Sequence, residues 1–170
     1  MSETRKPCVV LGVSGGIAAY KAAELCSRLT QSGYDVRTVM TANALKLISE
    51  RIFYTLSGHP VETDLFATND WKPEHVSLAE CADLMVVAPA TANFIGKLAN
   101  GIADDALSTT AITHRKPMLL APAMNANMWN SPALQRNLAT LRGDGGKFVG
   151  PAVGRPARGT DGIGRQGGPG

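Results

Sequence analysis

The sequence predicts a three-layer α/β fold in which helices cover both faces of a parallel sheet. Short apolar runs of strand length alternate along the chain with longer stretches whose apolar residues recur at helical spacing. This alternation is typical of βαβ units with right-handed crossovers. The predicted strands are residues 7–13, 36–40, 84–88, 117–121 and 147–149. The predicted helices are residues 17–29, 42–48, 91–98, 104–113 and 131–141, with another beginning near His75.

Turn-forming and capping residues predict where these elements end. Ser32 and Gly33 close the first helix, and Thr41 is placed to cap the second. Pro89 and Pro122 are expected to stop the third and fourth strands. From residue 150 onwards the pattern dissolves into glycine, proline and arginine, which predicts a loop, a flap or disorder. We therefore expect one domain over residues 1–150, followed by a substrate flap or flexible tail over residues 151–170.

Composition limits the classes of protein that this chain can represent. Its 170 residues suit one compact domain, and 44% hydrophobic residues suffice for a single core. Neither a membrane-spanning run nor a secretory signal is evident, so we expect a cytoplasmic protein without a membrane partner. The net charge of +3 arises in the glycine-rich tail from Arg142 onwards. Such a tail can bind phosphate or nucleic acid, but it is more often merely solvated, and we expect no nucleic-acid partner.

The cysteines and histidines differ in what they predict. Cys8, Cys26 and Cys81 lie far apart with no zinc-like spacing, which predicts buried thiols in the core and no metal site. The other two histidines, at 59 and 114, lie in turn-like contexts and are expected at the surface. His75 lies where a helix should begin, and a helix N-terminus disfavours the imidazolium form. A neutral ring there can act as a base, although a capping or core role remains open.

Two of the loops expected at the carboxyl edge of the sheet could bind a phosphate. Open α/β sheets bind ligands at this edge. In residues 12–17, glycines allow close backbone approach, and the helix start with the Ser14 hydroxyl suits an anion. A tight βα turn explains this loop equally well. In residues 41–43, a hydroxyl and an amide could hold a phosphate or a ribityl chain, and helix capping is an equal alternative.

Two further loops at this edge suit a flat ring and a carboxylate. The small residues of 89–94 would let a ring lie on the backbone, with Asn93 bonding its edge. Residues 121–129 include two Met, two Asn and a Trp, which are expected to line a pocket. The Asn125 amide offers hydrogen-bond donors to a carboxylate without adding charge.

These motifs, in this order, resemble those of the homo-oligomeric flavin-containing cysteine decarboxylases, and among them the phosphopantothenoylcysteine decarboxylases of coenzyme A biosynthesis. The resemblance runs from about residue 7 to residue 165. The motifs that carry it are the opening loop 12–21, the segment 56–66, His75, the sequence PATAN at 89–93, PAMN at 122–125 and Met-Trp at 128–129. It implies a flavodoxin/Rossmann-like fold. One departure is Phe94, where threonine is more usual.

The resemblance also implies a cofactor, site residues and partners. The implied cofactor is flavin mononucleotide (FMN), without a metal. Its implied contacts are Ser14, Gly15, Gly16, Ile17, Thr41, Ala42, Asn43, Thr91, Ala92, Asn93, Phe94 and Ala123. His75 and Asn125 are the implied catalytic residues, and Asn125, Met124 and Arg158 the implied substrate contacts. The implied assembly is a trimer, or a dodecamer of trimers, with flavin at a subunit interface and phosphopantothenoylcysteine synthetase as a possible partner.

The implied activity is FMN-dependent decarboxylation of 4'-phosphopantothenoylcysteine to 4'-phosphopantetheine. His75 would manage protons, and Asn125 would grip the carboxylate. Arg158 stands where the family has a proton-donating cysteine, and Gln166 stands where it has methionine. Because arginine is a poor acid, three outcomes are open. Another donor completes the reduction, or the product stops at an enethiol as in the peptidyl-cysteine decarboxylases, or the chain is a flavin-binding regulatory subunit without turnover. Flavin prenyltransferases share the fold, but the motif at 122–125 argues against them.

Overall fold

A computed structural model describes residues 4–66, 74–150, 152–154 and 162–165; from residue 151 onwards, and at residues 74 and 75, it describes the backbone alone. The strands are β1 (Cys8–Val13), β2 (Asp35–Met40), β3 (Leu84–Ala90), β4 (Met118–Pro122), β5 (Met124–Asn125), β6 (Lys147–Phe148), β7 (Ala152–Gly154) and β8 (Gly162–Arg165). The helices are α1 (Ala19–Gln31), α2 (Ala42–Leu45), α3 (Glu50–Ser57), α4 (Glu74–Cys81), α5 (Ala92–Ala99), α6 (Ala106–Thr113), α7 (Ala126–Trp129) and α8 (Pro132–Gly143).

Five strands form a parallel sheet in the order β2-β1-β3-β4-β6. The strand order reverses between β1 and β3, because the chain leaves β1 to form β2 on one side and returns to form β3 on the other. This strand order is the flavodoxin-like one, and it opens a crevice between the carboxyl ends of β1 and β3. The predicted fold class is therefore confirmed.

Two separate apolar cores lie on the two faces of this sheet. Val10 of β1 faces the core that also contains Phe94 of α5 and Leu107 of α6. Its neighbours Val9 and Leu11 face the other core, with side chains of α1 and α3. Adjacent strand residues point to opposite faces, so a strand that is apolar throughout is buried on both. That burial explains why the central strands are continuous apolar runs.

The prolines do not stop β3 and β4 where the sequence predicts. β3 continues through Pro89 to Ala90, and β4 includes Pro122. The pairing of β3 with β4 shifts between Val87 and Ala90, so no regular ladder hydrogen bond from residue 89 is required. A proline therefore lies within β3 without breaking it.

Several elements were not predicted from the sequence. α3 begins at the capping residue Ser49 and ends at Gly58, whose φ of 75° is left-handed. β7 and β8 pair antiparallel with each other, which overturns a loop or disorder for these residues and leaves the flap alternative untested. β5 completes this second sheet, in the order β5-β8-β7. None of the described helices has the length and hydropathy that crossing a bilayer requires.

Two predictions about single side chains need correction. His114 is not at the surface: it is 7% exposed, and its Nε2 lies 2.9 Å from the Pro117 carbonyl oxygen. Cys8 and Cys26 are buried as predicted, but Cys81 is only half-buried. His59 is also half-buried, and its Nε2 lies 2.7 Å from Asp35 Oδ1.

Candidate active site

Ser14 joins the first and third loops of the carboxyl edge. Its side chain is buried, and the hydroxyl donates a hydrogen bond to the Pro89 carbonyl oxygen at 2.6 Å. The Ser14 hydroxyl oxygen in turn accepts a hydrogen bond from the Thr91 amide at 3.0 Å. Because a hydroxyl has a single proton, the proton of Ser14 is committed to Pro89. Ser14 therefore fixes two loops together, and in this arrangement its hydroxyl is not a donor to an anion.

The start of α1 presents free backbone amides. Within the described residues, the amides of Gly15, Ile17 and Ala18 have no hydrogen-bond acceptor, and Ala18 provides no side-chain cap. The Ile17 side chain is 88% exposed. Unsatisfied amides and the positive end of the helix dipole favour an anion at such a terminus. The backbone of the first loop can therefore accept a phosphate.

Three of the predicted loops meet around Gly15 and Gly16. A Cβ placed on Gly15 would lie 2.4 Å from Asn43 Cβ, so the first loop packs directly on the second. A Cβ on Gly16 would lie 3.4 Å from Thr91 Cγ2 in the third loop. Thr41 itself caps α2 by accepting the Ala44 amide at 3.1 Å. The prediction that Thr41 caps a helix is therefore confirmed. Because the loop also lies beside Gly15, its role in binding a ligand stays a prediction.

The third loop presents its backbone at the candidate site, whereas its largest side chain is buried. Thr91 caps α5 by accepting the Phe94 amide at 3.2 Å, and Asn93 is exposed. Phe94 is 2% exposed and belongs to the core beneath the edge. Of the predicted ring contacts, Phe94 therefore does not offer its side chain at the surface.

The fourth loop is attached to the third and carries Asn125. The Ala123 amide donates to the Ala90 carbonyl oxygen at 3.2 Å. Asn125 is exposed, and its Oδ1 accepts the Met128 amide at 2.9 Å, which caps α7. Among the described residues its Nδ2 has no acceptor, so two amide protons remain for a ligand. β8 pairs with this segment, with Asn125 opposite Gly162 and Met124 opposite Ile163.

The electrostatic character of this edge is set by neutral groups. None of the four loops, residues 12–17, 41–43, 89–94 and 121–129, contains a charged side chain. The nearby acidic pair is engaged elsewhere: Asp105 caps α6, and Lys97 Nζ lies 2.8 Å from Asp104 Oδ1. An anionic ligand here would therefore be bound by amides and helix termini.

The structure brings some of the predicted site residues together and leaves others outside its described part. Those of the four loops meet at one edge, whereas His75 is located only by its backbone in the first turn of α4, as predicted. The side chain of His75 and the whole of Arg158 lie outside the described residues. The carbonyls of Pro89 and Ala90 were missed, although they hold the loops together. No sequence signal identifies them, because every residue has a carbonyl group.

Comparison with known proteins identifies the family. A family model described as Flavoprotein matches residues 1–165. The coenzyme A biosynthesis bifunctional protein CoaBC of Bacillus subtilis (strain 168) is 49% identical over 158 residues, which are 92% of this chain and 39% of the relative. CoaBC of Mycobacterium tuberculosis (strain H37Rv) is 48% identical over 157 residues, 92% of this chain and 37% of the relative. The chain thus spans about two-fifths of the length of these curated relatives.

Solved structures give the same result over nearly whole chains. The FMN-dependent cysteine decarboxylase SpaF is 40% identical with a TM-score of 0.80, covering 84% of this chain and 83% of its own. A mutant PPC decarboxylase complexed with pantothenoylaminoethenethiol is 33% identical with a TM-score of 0.83, covering 94% of this chain and 90% of its own. The chain therefore belongs to the flavoprotein family, alongside the FMN-dependent cysteine decarboxylases.

Proposed function

We propose that this chain binds FMN and decarboxylates 4'-phosphopantothenoylcysteine to give 4'-phosphopantetheine. The observation that carries the proposal is the 49% identity to CoaBC over 92% of the chain. The likeness to PPC decarboxylase supports the same substrate. A peptide substrate is less favoured, because the peptidyl-cysteine decarboxylase EpiD is 24% identical to this chain, whereas CoaBC is 49% identical.

The residues at the carboxyl edge fit FMN. The free amides of Gly15, Ile17 and Ala18 suit its phosphate, and residues 41–43, of which Ala42 and Asn43 are exposed, lie beside them for the ribityl chain. The small residues Thr91, Ala92 and Ala123 leave room for a flat ring along the backbone. When bound, FMN supplies a two-electron oxidant and electron sink, and the protein supplies binding and orientation.

The chain's own residues would then handle the carboxylate and the protons. The free Nδ2 protons of Asn125 bind the carboxylate of the cysteinyl group and hold it at the edge. Loss of carbon dioxide is easier when the carboxylate is removed from water. A neutral amide binds the carboxylate but stabilises its ground state less than a cation would. His75, at the start of α4, would manage the proton of the substrate thiol. Arg158 contacts the substrate from the tail, and another group or water replaces the family cysteine as proton donor.

We also propose that the chain forms a homo-oligomer, a trimer or a dodecamer of trimers. Ile17, Tyr20 and Phe66 are 88%, 64% and 87% exposed, which is unusual for large apolar side chains on a monomer. Ile17 borders the candidate FMN site, so a neighbouring subunit could complete that site. Sedimentation velocity of the FMN-loaded protein should show three subunits or a multiple of three; a stable monomer with full activity contradicts this part.

The partner and the location remain predictions. The relatives are named bifunctional, and this chain spans 39% of one of them. We propose that phosphopantothenoylcysteine synthetase supplies the substrate, either from the same polypeptide or as a separate protein, and that both act in the cytoplasm. Co-purification with the synthetase, or sequencing of the full-length gene, tests the link.

Purification and product analysis test the function directly. The protein should be yellow, with an FMN spectrum, and should release carbon dioxide from phosphopantothenoylcysteine. Mass spectrometry should find phosphopantetheine; an enethiol two hydrogens lighter would show that the reduction stops early. A colourless protein that takes up no added FMN overturns the cofactor, and an FMN-loaded protein that releases no carbon dioxide overturns the activity.

Replacing His75 tests its assignment. His75→Asn should retain FMN and the oligomeric state but lose turnover, since asparagine keeps hydrogen-bonding capacity but cannot exchange a proton near neutral pH. Wild-type turnover in this variant would remove His75 from the mechanism.

A further inference from the structure

Two cysteines meet at the amino edge of the sheet, opposite the candidate FMN site. Cys8 is the first residue of β1, and Cys81 is the last residue of α4. Their Sγ atoms lie 2.6 Å apart, although the residues are 73 positions apart in the sequence. The length of β1 separates this pair from the loop after Val13 by about 16 Å. The thiols are therefore outside the site described above.

The backbone around the two sulfurs is fixed from both sides. The Asp83 amide donates to the Cys8 carbonyl oxygen at 2.8 Å, and the Cys8 amide donates to Asp83 Oδ2 at 2.8 Å. Asp83 follows Cys81 by two residues, so these bonds hold the end of α4 against the start of β1. The meeting of the two sulfurs is thus imposed by the scaffold rather than by a flexible loop.

The two thiols differ in access. Cys8 is 1% exposed, and burial and the hydrogen bond from Cys81 raise its pKa. Cys81 is half-buried and can be reached from solvent. A reagent therefore meets Cys81 first, and Cys8 is positioned to react with whatever is attached to Cys81.

A third potential ligand nearby raises the question of a metal ion. One carboxylate oxygen of Asp35 lies within 4.8 Å of both sulfurs. However, Oδ1 of Asp35 is 2.7 Å from His59 Nε2, and both of its oxygens are bonded to Arg37. A cation would have to displace the Arg37 guanidinium and move the sulfurs apart, since two thiolates on one zinc each lie about 2.3 Å from the metal. The arrangement therefore favours a bond between the sulfurs.

We propose that Cys8 and Cys81 form an oxidisable pair that becomes an intramolecular disulfide by exchange with a low-molecular-weight disulfide such as oxidised glutathione. In the first step the Cys81 sulfur bonds to one sulfur of the reagent, whose S–S bond breaks, and one small thiol leaves with the proton of Cys81. In the second step the Cys8 sulfur attacks Cys81, and the second small thiol leaves with the proton of Cys8. Two protein thiols are oxidised, and one reagent disulfide is reduced to two thiols.

The bond would fasten α4 to β1. Because α4 begins with residues 74 and 75, the disulfide would restrain the helix that carries His75 at its other end. It would also close a loop of about 70 residues, which lowers the entropy of the unfolded chain. The inference concerns oxidation and stability, and it stands whether or not the proposed decarboxylation is correct.

Peptide mapping tests the pair. The full FMN-loaded chain is incubated with oxidised glutathione, alkylated, digested and analysed without reduction. We expect one peptide pair joined through Cys8 and Cys81, two hydrogens lighter than the separate peptides, with Cys26 alkylated. A glutathione adduct that persists on Cys81, a link through Cys26, or two free thiols after treatment would overturn the proposal.

Thermal unfolding gives a second readout with matched variants. Oxidation should raise the Tm of the wild-type protein by about 5 °C or more. The same rise is expected in Cys26→Ser and should be absent in Cys81→Ala, whose half-buried position tolerates truncation. An equal rise in Cys81→Ala, or zinc bound in a one-to-one ratio that is lost in this variant, would contradict the disulfide.

Discussion

Gly15 allows the first two loops of the candidate site to touch. In Gly15→Ala the new Cβ would lie 2.4 Å from Asn43 Cβ and 3.0 Å from the Asn43 backbone carbon, which cannot rotate away. We expect this overpacking to lower the free energy of unfolding by about 1–3 kcal/mol. Displacement of the amides at Gly15 and Ile17 should also weaken FMN binding. Urea unfolding of the FMN-free protein and a fluorescence titration with FMN measure the two effects.

Gly143→Ala is the matched control for this substitution. Gly143 ends α8, and a Cβ there meets no atom within 4 Å. Its FMN affinity should equal that of the wild type, and its stability should be equal or slightly higher, since alanine favours a helix more than glycine does. If Gly15→Ala behaves like Gly143→Ala in both measurements, the contact between the first two loops is not what shapes the site.

We propose that Asn125 has two separable roles, one in folding and one in binding. In Asn125→Asp the side chain still offers an oxygen to the Met128 amide and keeps the cap on α7, but its two amide protons are lost. Stability should stay near the wild-type value, and kcat/KM for decarboxylation should fall by about 10-fold to 100-fold or more. Asn127→Asp adds the same charge two residues away and should have a much smaller effect. Equal losses in both variants would indicate general charge repulsion.

The capping box of α6 predicts a measurable contribution from Asp105. Its carboxylate accepts the Ser108 amide at 2.7 Å, and Ser108 Oγ accepts the Asp105 amide at 3.2 Å. Asp105→Ala should lower the free energy of unfolding by about 0.5–2 kcal/mol. Ser131→Ala is the control, because Ser131 precedes α8 without a side-chain cap bond. Denaturant unfolding should show a smaller loss for Ser131→Ala, and equal losses would contradict the capping argument.

The sequence predicted the elements of the parallel sheet better than the elements around it. Central strands are apolar runs because they are buried on both faces, and this burial is visible in the sequence. α3 was missed although Ser49, Glu50 and Gly58 are start and stop signals, because only Phe53 in it is fully buried. β8 was missed because its glycines leave no alternating pattern, and backbone pairing alone reveals it. Local signals therefore predict packed elements and fail where the partner strand supplies the stability.

The acid stability of the folded chain should depend on Asp83. Its pKa is held below the ordinary value of 3.8 by the hydrogen bond from the Cys8 amide and then by the bond from Arg5. A carboxyl whose pKa is lowered by folding stabilises the protein above pH 3.8, and the benefit is lost as the pH falls through the lower folded value. Asp83→Asn should therefore have a lower Tm than the wild type at about pH 7, with a gap that narrows towards about pH 3.

Asp144→Asn controls for the loss of one negative charge. Asp144 is exposed at the end of α8, away from the contact between β1 and α4. Thermal scans across the pH range should show a smaller change for this variant. If the difference in Tm between the wild type and Asp83→Asn stays constant with pH, the charge of Asp83 does not stabilise the fold.

The candidate site could be predicted because the sheet topology determines which loops meet, whereas the thiol pair could not be predicted. Parallel strands present their carboxyl ends at one edge, so loops after separate strands were expected to meet, and those around Gly15, Asn43 and Thr91 do. Nothing in the spacing of Cys8 and Cys81 predicts their contact, because it depends on how α4 packs against β1. The burial of Phe94 likewise follows from how α5 packs on the core rather than from its motif.

The pairing of β5 with β8 limits how far the chain can be shortened. Because Asn125 lies opposite Gly162, ending the polypeptide at residue 150, the predicted domain boundary, would leave β5 as a bare edge. Such a truncated protein would keep its five-stranded sheet and both apolar cores. It could therefore be mistaken for the intact domain. The proposed contact of Asn125 with the carboxylate would then lack the support of β8, so any minimal version intended for assay or crystallisation should extend at least to Arg165.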